Sequence, residues 1–187
     1  MDGYHLTRAQ LSAMPDPVTA QARRGAEFTF DGAGFLQLVE ALRQPLTSSS
    51  EIIYAPSFDH AVKDPKEGDI PVGVQQRVVV FEGNCRFSYI SVLRGSTNKE
   101  DVLLDKEPWF KAAALMDLRW FVEVDTEVAR VRLARRHLAA GIVGSLEEGD
   151  RRAVENDLPN GEEVIRRRVE GIDEVVKSVE DGGWVHP

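Results

Sequence analysis

The stretch Arg77-Val-Val-Val-Phe-Glu-Gly-Asn84 decides the fold class of this chain. Residues 78–81 are continuously apolar, which is typical of a strand covered on both faces of a parallel sheet. Two further β-type runs, Glu51–Ala55 and Arg119–Val124, lie on either side of it along the chain. The sequence therefore predicts three strands of one buried sheet.

Helical patterns alternate with these strands. Apolar residues recur at helical spacing in four segments, namely Gly34–Arg43, Trp109–Met116, Thr126–Ala140 and Glu162–Val179. Residues 61–73 and 94–101 are polar and rich in turn formers, which is typical of surface loops. Strands that alternate with helices need crossover connections, so we predict an α/β fold with a mostly parallel sheet and flanking helices.

Length and charge narrow the class of protein. The 187 residues carry 23 Lys and Arg against 31 Asp and Glu, a net charge of −8. This length is enough for one core, and the acidic balance argues against nonspecific nucleic-acid binding. The single cysteine, Cys85, excludes an intrachain disulfide and is typical of a reducing compartment. No signal peptide or bilayer-length apolar run is readable, so we expect a cytoplasmic protein.

Carboxylates follow the predicted strands. Glu82 comes directly after the second run and Asp125 after the third, while Asp2 at the chain start looks as if a strand should precede it. Because ligands bind outside the carboxyl ends of parallel strands, these groups could hold a divalent metal or accept a proton. The alternatives are that Asp125 caps the following helix and that Asp2 is simply solvated.

Four arginines stand within the predicted helix at 126–140. Arg132 and Arg136 are four residues apart and share a face, and Arg135 is three residues from Arg132. Guanidinium groups suit phosphate oxygens, so this helix is either an anion-binding element or a solvated face. The sequence contains no Gly-x-x-x-x-Gly-Lys-Ser/Thr phosphate loop, no Gly-x-Gly-x-x-Gly and no Gly-x-Ser-x-Gly.

Short blocks along the chain stand in an order that one family shares. They are Met1–His5, Arg23–Asp31, Tyr54–His60, Val79–Asn84, Phe121–Asp125 with Arg132–His137, and Glu155–Gly161. In this order they resemble the phosphoribulokinase/uridine kinase family of P-loop kinases, in its pantothenate-kinase-like or fungal branch. The resemblance implies a three-layer α/β fold and ATP-dependent phosphoryl transfer to a small-molecule hydroxyl, such as that of a nucleoside, pantothenate or a sugar.

The resemblance also implies roles for individual residues. Asp2 and Glu82 match catalytic carboxylates near the acceptor hydroxyl and magnesium, and Arg132 matches a residue that neutralises the transferring phosphoryl group. Arg132 also matches a nucleotide-binding position, together with Arg135 and Arg136. The residues at acceptor-binding positions are Tyr4, His5, Phe58, His60, Asn156 and Asn160. The implied cofactors are ATP and magnesium and the partners are a nucleotide and a small-molecule acceptor, without nucleic acid or membrane; homo-oligomer formation is left open.

The chain departs from the family pattern in two places. The family has a strand, a phosphate loop and a helix before the Met1–His5 block, so we expect residues 1–187 to form a single kinase-like domain without its first β-loop-α unit and central strand. Residues 85–102 are an insertion, either a specificity loop or a retained intron, and the missing unit favours the intron. These departures keep two alternatives to a kinase open. The first is an inactive kinase relative or fragment that only binds an acceptor or a partner. The second is a hydrolase that transfers the phosphoryl group to water.

Overall fold

The structure is a computed structural model that describes residues 1–47, 49–83, 89–92, 107–166 and 172–179, and for 89–92, 163–164 and 166 it describes the backbone alone. The helices are α1 (Arg8–Ser12), α2 (Pro17–Ala22), α3 (Gly32–Leu42), α4 (Trp109–Ala114), α5 (Thr126–Ala139), α6 (Leu146–Arg152) and α7 (Leu158–Arg166). The strands are β1 (Ile53–Asp59), β2 (Asp64–Val72), β3 (Val80–Phe81), β4 (Tyr89–Val92), β5 (Leu118–Glu123) and β6 (Glu174–Lys177). Short 3₁₀ turns lie at Asp2–Tyr4 and Glu27–Thr29, and a π-helical turn at Ala153–Asp157 joins α6 to α7.

The larger sheet has the strand order β3-β4-β5-β6. Strands β5 and β6 pair in parallel, and β4 pairs antiparallel with both β3 and β5. Thus β3, β5 and β6 run in one direction, and the predicted α/β class is confirmed. Strand β4 comes from the predicted insertion at 85–102, most of which lies outside the described residues. It lies between β3 and β5, in the interior of the sheet.

Strand β1 belongs to a second sheet, which corrects the prediction of one sheet. It pairs antiparallel with β2, so residues 64–72 of the predicted loop at 61–73 form a strand. Pro65 and Pro71 are accommodated because both strands of a two-stranded ribbon are edge strands, where a missing backbone N–H costs little.

The predicted helices at 34–43, 109–116 and 126–140 are present as α3, α4 and α5. The predicted helix at 162–179 is wrong at its end, because residues 174–177 form β6 beside β5, while residues 167–171 lie outside the described residues. Val175 and Val176 favour extended backbone, and the backbone N–H of Arg119 donates to the Asp173 carboxylate just before the strand, at 2.8 Å.

The core lies between α3, α4 and the start of the chain. Phe35, Leu38 and Val39 of α3 are buried against Trp109 and Ala112 of α4. Asp31 caps α3, because its Oδ1 accepts from the Gly34 backbone N–H at 2.9 Å. This packing fixes the first residues of the chain against the sheets. Among the described residues, no helix is both long enough and apolar enough to cross a membrane.

Candidate functional site

The first residues of the chain lie against the end of β3. The amino group of Met1 donates to the backbone carbonyl of Glu82, and an ideal Cβ on Gly83 would lie 2.7 Å from the Met1 sulfur. This contact brings Asp2 and Glu82, the two carboxylates predicted from the sequence, to the same edge of the protein.

Gly3 fixes this arrangement from the other side. A Cβ atom at this position would stand 2.1 Å from the backbone oxygen of Pro56 in β1, so only glycine allows such a close approach. The turn at Asp2–Tyr4 is therefore held between β1 and the end of β3.

His5 is oriented by this turn. Its Nδ1 lies 2.8 Å from the backbone oxygen of Asp2, and because a carbonyl can only accept, Nδ1 carries the proton. Burial lowers the pKa of His5, so the ring is neutral near pH 7. In the neutral ring with Nδ1 protonated, Nε2 is a hydrogen-bond acceptor that suits a hydroxyl group.

Aromatic rings surround His5. Its ring centroid lies 4.1 Å from that of Phe30 and 5.3 Å from that of Phe58, and the Phe58 ring lies 5.1 Å from that of His60. We call His5, Phe30, Phe58 and His60 the aromatic cluster. It unites three of the predicted acceptor-binding residues on the surface that begins at Asp2. Phe30 was missed, although it lies in the Arg23–Asp31 block that carried the resemblance.

Arg24 ties the aromatic cluster to the chain around it. Its Nη2 donates to the Leu6 backbone oxygen at 3.0 Å and to Asp64 Oδ1 at 3.1 Å, and its Nη1 donates to the Lys63 oxygen at 2.6 Å. The guanidinium carbon also lies 5.5 Å from the centre of the Phe58 ring. Arg24 was not predicted, because nothing in the sequence around a single arginine indicates that its side chain makes four contacts at once.

Tyr4, another of the predicted acceptor-binding residues, lies in a different environment. Tyr4 is buried in the core, with its ring edge-on to Phe35 at 5.3 Å. Burial raises the pKa of the Tyr4 phenol to about 12, so it stays protonated. Its predicted part in acceptor binding stays a prediction.

The arginine helix α5 begins at the carboxyl end of β5. Asp125 caps it, because its Oδ1 accepts from the backbone N–H groups of Glu127 and Val128 at 2.9 and 3.2 Å. Arg132 Nη1 donates to Ser178 Oγ at 2.7 Å, and Arg135 and Arg136 are exposed.

A cleft of about 470 Å³ opens at the carboxyl ends of β5 and β6, and Asp125, Thr126, Lys177 and Ser178 are among its lining residues. Ser178, the partner of Arg132, thus connects the arginine helix to this cleft. In α/β sheets this edge is where ligands bind.

Asn156 and Asn160 lie at the turn between α6 and α7. Asn156 is buried in the π-helical turn, and its Oδ1 is 3.5 Å from Asn160 Nδ2. Asn160 Oδ1 accepts from Arg23 Nη2 at 2.6 Å, which joins this turn to the end of α2.

The carboxylates suit magnesium in number and kind. Among the described residues, no group of three or more His, Cys, Asp or Glu side chains could hold a metal ion by itself. Magnesium in phosphoryl-transfer sites is typically held by only one or two carboxylates together with substrate phosphates and water. Asp2 and Glu82 match that requirement in the number and kind of their side chains, and the Met1 contact joins their segments of the chain.

Known proteins resemble this chain along most of its length. The ATP-dependent kinase-like protein notR' of Aspergillus versicolor is 46% identical over 184 residues, covering 98% of this chain and 95% of that protein. A candidate uridine kinase of Schizosaccharomyces pombe is 38% identical over 160 residues, 86% of this chain and 60% of that protein. No protein-family model matches the chain.

The fold resembles that of a solved kinase-like structure. The crystal structure of YFH7 from Saccharomyces cerevisiae, described as a candidate P-loop containing kinase with a circular permutation, superposes with a TM-score of 0.72 at 31% identity. The match covers 97% of this chain and 57% of that one. The chain therefore spans less than two thirds of YFH7 and of the uridine kinase relative, and nearly all of notR'.

Proposed function

Because the chain belongs to the uridine kinase-like family of P-loop kinases, we propose that it transfers a phosphoryl group from ATP to the hydroxyl of a small-molecule acceptor. The observation that supports this proposal is the contact between the Met1 amino group and the Glu82 backbone oxygen, which joins the segment of Asp2 to that of Glu82. In phosphoryl transfer the protein contributes mainly positioning and charge stabilisation, and this site offers both.

Each part of the site has a distinct role in the proposal. The acceptor lies on the aromatic cluster, and His5 Nε2 accepts a hydrogen bond from one of its hydroxyl groups. Asp2 accepts the proton of the attacking hydroxyl. Asp2 and Glu82 would hold magnesium, which when bound neutralises charge on the nucleotide phosphates.

We assign the nucleotide to the cleft at the carboxyl ends of β5 and β6. The cleft at the carboxyl ends of β5 and β6 lies beside Arg132, whose guanidinium is held by Ser178. Arg135 and Arg136 of the same helix add charge that suits phosphate oxygens. Relatives named as ATP-dependent kinases support ATP as the donor.

The substitution Asp2→Asn tests this proposal. Transfer of radiolabelled γ-phosphate from magnesium ATP is measured over a panel of nucleosides, pantothenate and sugars. Loss of a general base lowers rates by about 10²–10⁴-fold, so we expect a loss in that range on the accepted substrate. The matched control is Asp16→Asn, an exposed helix cap that asparagine also satisfies. An Asp2→Asn protein as active as the wild type would contradict the proposal.

A second candidate function is acceptor binding without catalysis. It is motivated by the sequence, which contains no Gly-Lys-Ser/Thr phosphate loop for the nucleotide. Calorimetric titration of the chain with ATP separates the two functions. Magnesium-dependent binding at micromolar ATP supports the kinase, whereas acceptor binding with no ATP binding supports the second candidate.

A further inference from the structure

A second cleft, away from the two carboxylates, is lined by arginines. It has a volume of about 790 Å³ and lies between the end of α2, the turn after α5, helix α6 and the π-helical turn. Arg23, Arg151 and Arg152 line it, as does Asn156. We call it the arginine cleft.

Among the described residues, the arginines of this cleft are not paired with carboxylates. Some arginines elsewhere are: Arg43 meets Asp117 at 2.8 Å, and Arg130 meets both oxygens of Asp150 at 2.6 and 2.7 Å. Within the described part of the chain, by contrast, no carboxylate lies at salt-bridge distance from the three arginines of the cleft. In a protein with an excess of acidic residues, this leaves positive charge concentrated in one concave place.

Arg152 gives the sharpest evidence. Its Nε is buried and has no hydrogen-bond partner among the described residues. A buried charged donor without a partner is unfavourable, and most such groups in folded proteins are satisfied by protein, water or ligand. The Arg152 side chain therefore keeps a hydrogen-bond donor that no described residue uses.

Two acidic residues also line the cleft, so three arginines and two glutamates leave it a net formal charge of +1. Glu148 Oε2 accepts from the Gly144 backbone N–H at 2.8 Å and thus closes the turn before α6. Glu155 is exposed.

The walls of the cleft are held in place by paired side chains. His137 Nε2 lies 2.7 Å from Asp157 Oδ2, and this contact joins α5 to the π-helical turn. The bidentate pair of Arg130 and Asp150 joins α5 to α6. Arg23 itself is held by Asn160 at 2.6 Å. The cleft is thus a preorganised feature of the fold.

We propose that the arginine cleft is a binding site for an anionic group, a carboxylate or a phosphate monoester, of a small molecule. Arg23, Arg151 and Arg152 supply guanidinium donors that suit the oxygens of such a group.

Matched pairs of ligands test this inference by calorimetry on the whole chain without nucleotide. Pantothenate is compared with pantothenol, which lacks the carboxylate, and ribose 5-phosphate with ribose. Charge-assisted hydrogen bonds make the charged member of one pair bind at least tenfold more tightly. The pair that shows the preference identifies the anionic group. Equal binding within both pairs would overturn the inference.

Variants then locate the preference. Arg152→Gln and Arg151→Gln should each reduce the preference for the charged ligand. The control is Arg77→Gln, at an exposed position outside the cleft, which should leave this preference unchanged. A preference that survives Arg152→Gln and Arg151→Gln would overturn the inference. The two proposals can fail separately. A preference for the charged ligand without phosphoryl transfer would support anion binding in the arginine cleft and contradict the kinase function. Phosphoryl transfer without that preference would contradict anion binding in the cleft alone.

Discussion

At the scale of single residues, Asp2 and His5 show how backbone contacts define a site. The backbone oxygen of Asp2 accepts from His5 Nδ1, which leaves His5 Nε2 as an acceptor. The sequence identified both residues by their place in the Met1–His5 block. It did not identify the tautomer of His5, since that depends on a turn that Gly3 and Pro56 shape together.

His5 makes stability depend on pH. Burial lowers the pKa of His5 in the folded protein below the ordinary 6.5, so below pH 6.5 the unfolded chain binds a proton that the folded chain does not. Stability is therefore greatest above pH 6.5 and falls as the pH drops toward the lowered pKa. In urea unfolding at pH 7.5 and 5.5, we expect the wild type to lose more stability than His5→Asn, which keeps a donor near Nδ1.

The exposed His60→Asn serves as the control for this measurement. It should show the same pH dependence as the wild type. If His5→Asn and the wild type lose equal stability between the two pH values, His5 does not titrate as argued.

Arg24 provides a second prediction at this scale. Lysine keeps the charge but cannot contact Leu6, Lys63 and Asp64 together, because it lacks the planar fork. We expect Arg24→Lys to lower the free energy of unfolding by about 2 kcal/mol and to weaken acceptor binding. Arg77→Lys, at an exposed position, should stay within about 0.5 kcal/mol of the wild type. Equal effects of the two substitutions would show that the fork of Arg24 is dispensable.

At the scale of elements, helices were predictable and the second sheet was not. The apolar stripe of α3 is a local signal, and so are the caps at Asp31 and Asp125. In the structure Asp31 caps α3 and Asp125 caps α5. Strand β2 contains Pro65, Gly68 and Pro71, which locally indicate a loop, and only its pairing with β1 makes it a strand. Strand β6 was hidden because the spacing of its valines also fits a helix.

The packing of α6 on α5 depends on one small residue. A Cβ on Gly149 would lie 2.7 Å from the Ala134 backbone oxygen. Alanine gains about 1 kcal/mol of helix propensity, but overpacking costs about 1–3 kcal/mol. Because the obstructing atom belongs to the backbone and cannot rotate away, we take the upper part of that cost, about 2–3 kcal/mol. We therefore expect Gly149→Ala to destabilise the protein by about 1–2 kcal/mol in denaturant unfolding.

Gly144→Ala is the matched control for this packing. Its Cβ would meet only the flexible end of Glu148, at 3.4 Å, so its effect should stay within about 0.5 kcal/mol. A Gly149→Ala protein as stable as the wild type would show that α5 and α6 can separate at no cost.

At the scale of the whole molecule, the net charge of −8 conceals an uneven distribution. Arginines concentrate along α5 and around the arginine cleft, whereas the aromatic cluster and the two carboxylates lie near the chain start. The order of sequence blocks predicted the family because blocks far apart in sequence meet in the fold. It could not predict the arginine cleft, which exists only where α2, α6 and the π-helical turn come together.

The most direct test of the central claim, that the acceptor binds on the aromatic cluster, is a comparison of dissociation constants in Phe58→Leu and the wild type. Aromatic contacts contribute about 0.5–1.5 kcal/mol beyond burial, so acceptor binding should weaken up to about tenfold. Calorimetry with ATP should give the same constant for both proteins. Unchanged acceptor binding combined with weakened ATP binding in Phe58→Leu would contradict the claim.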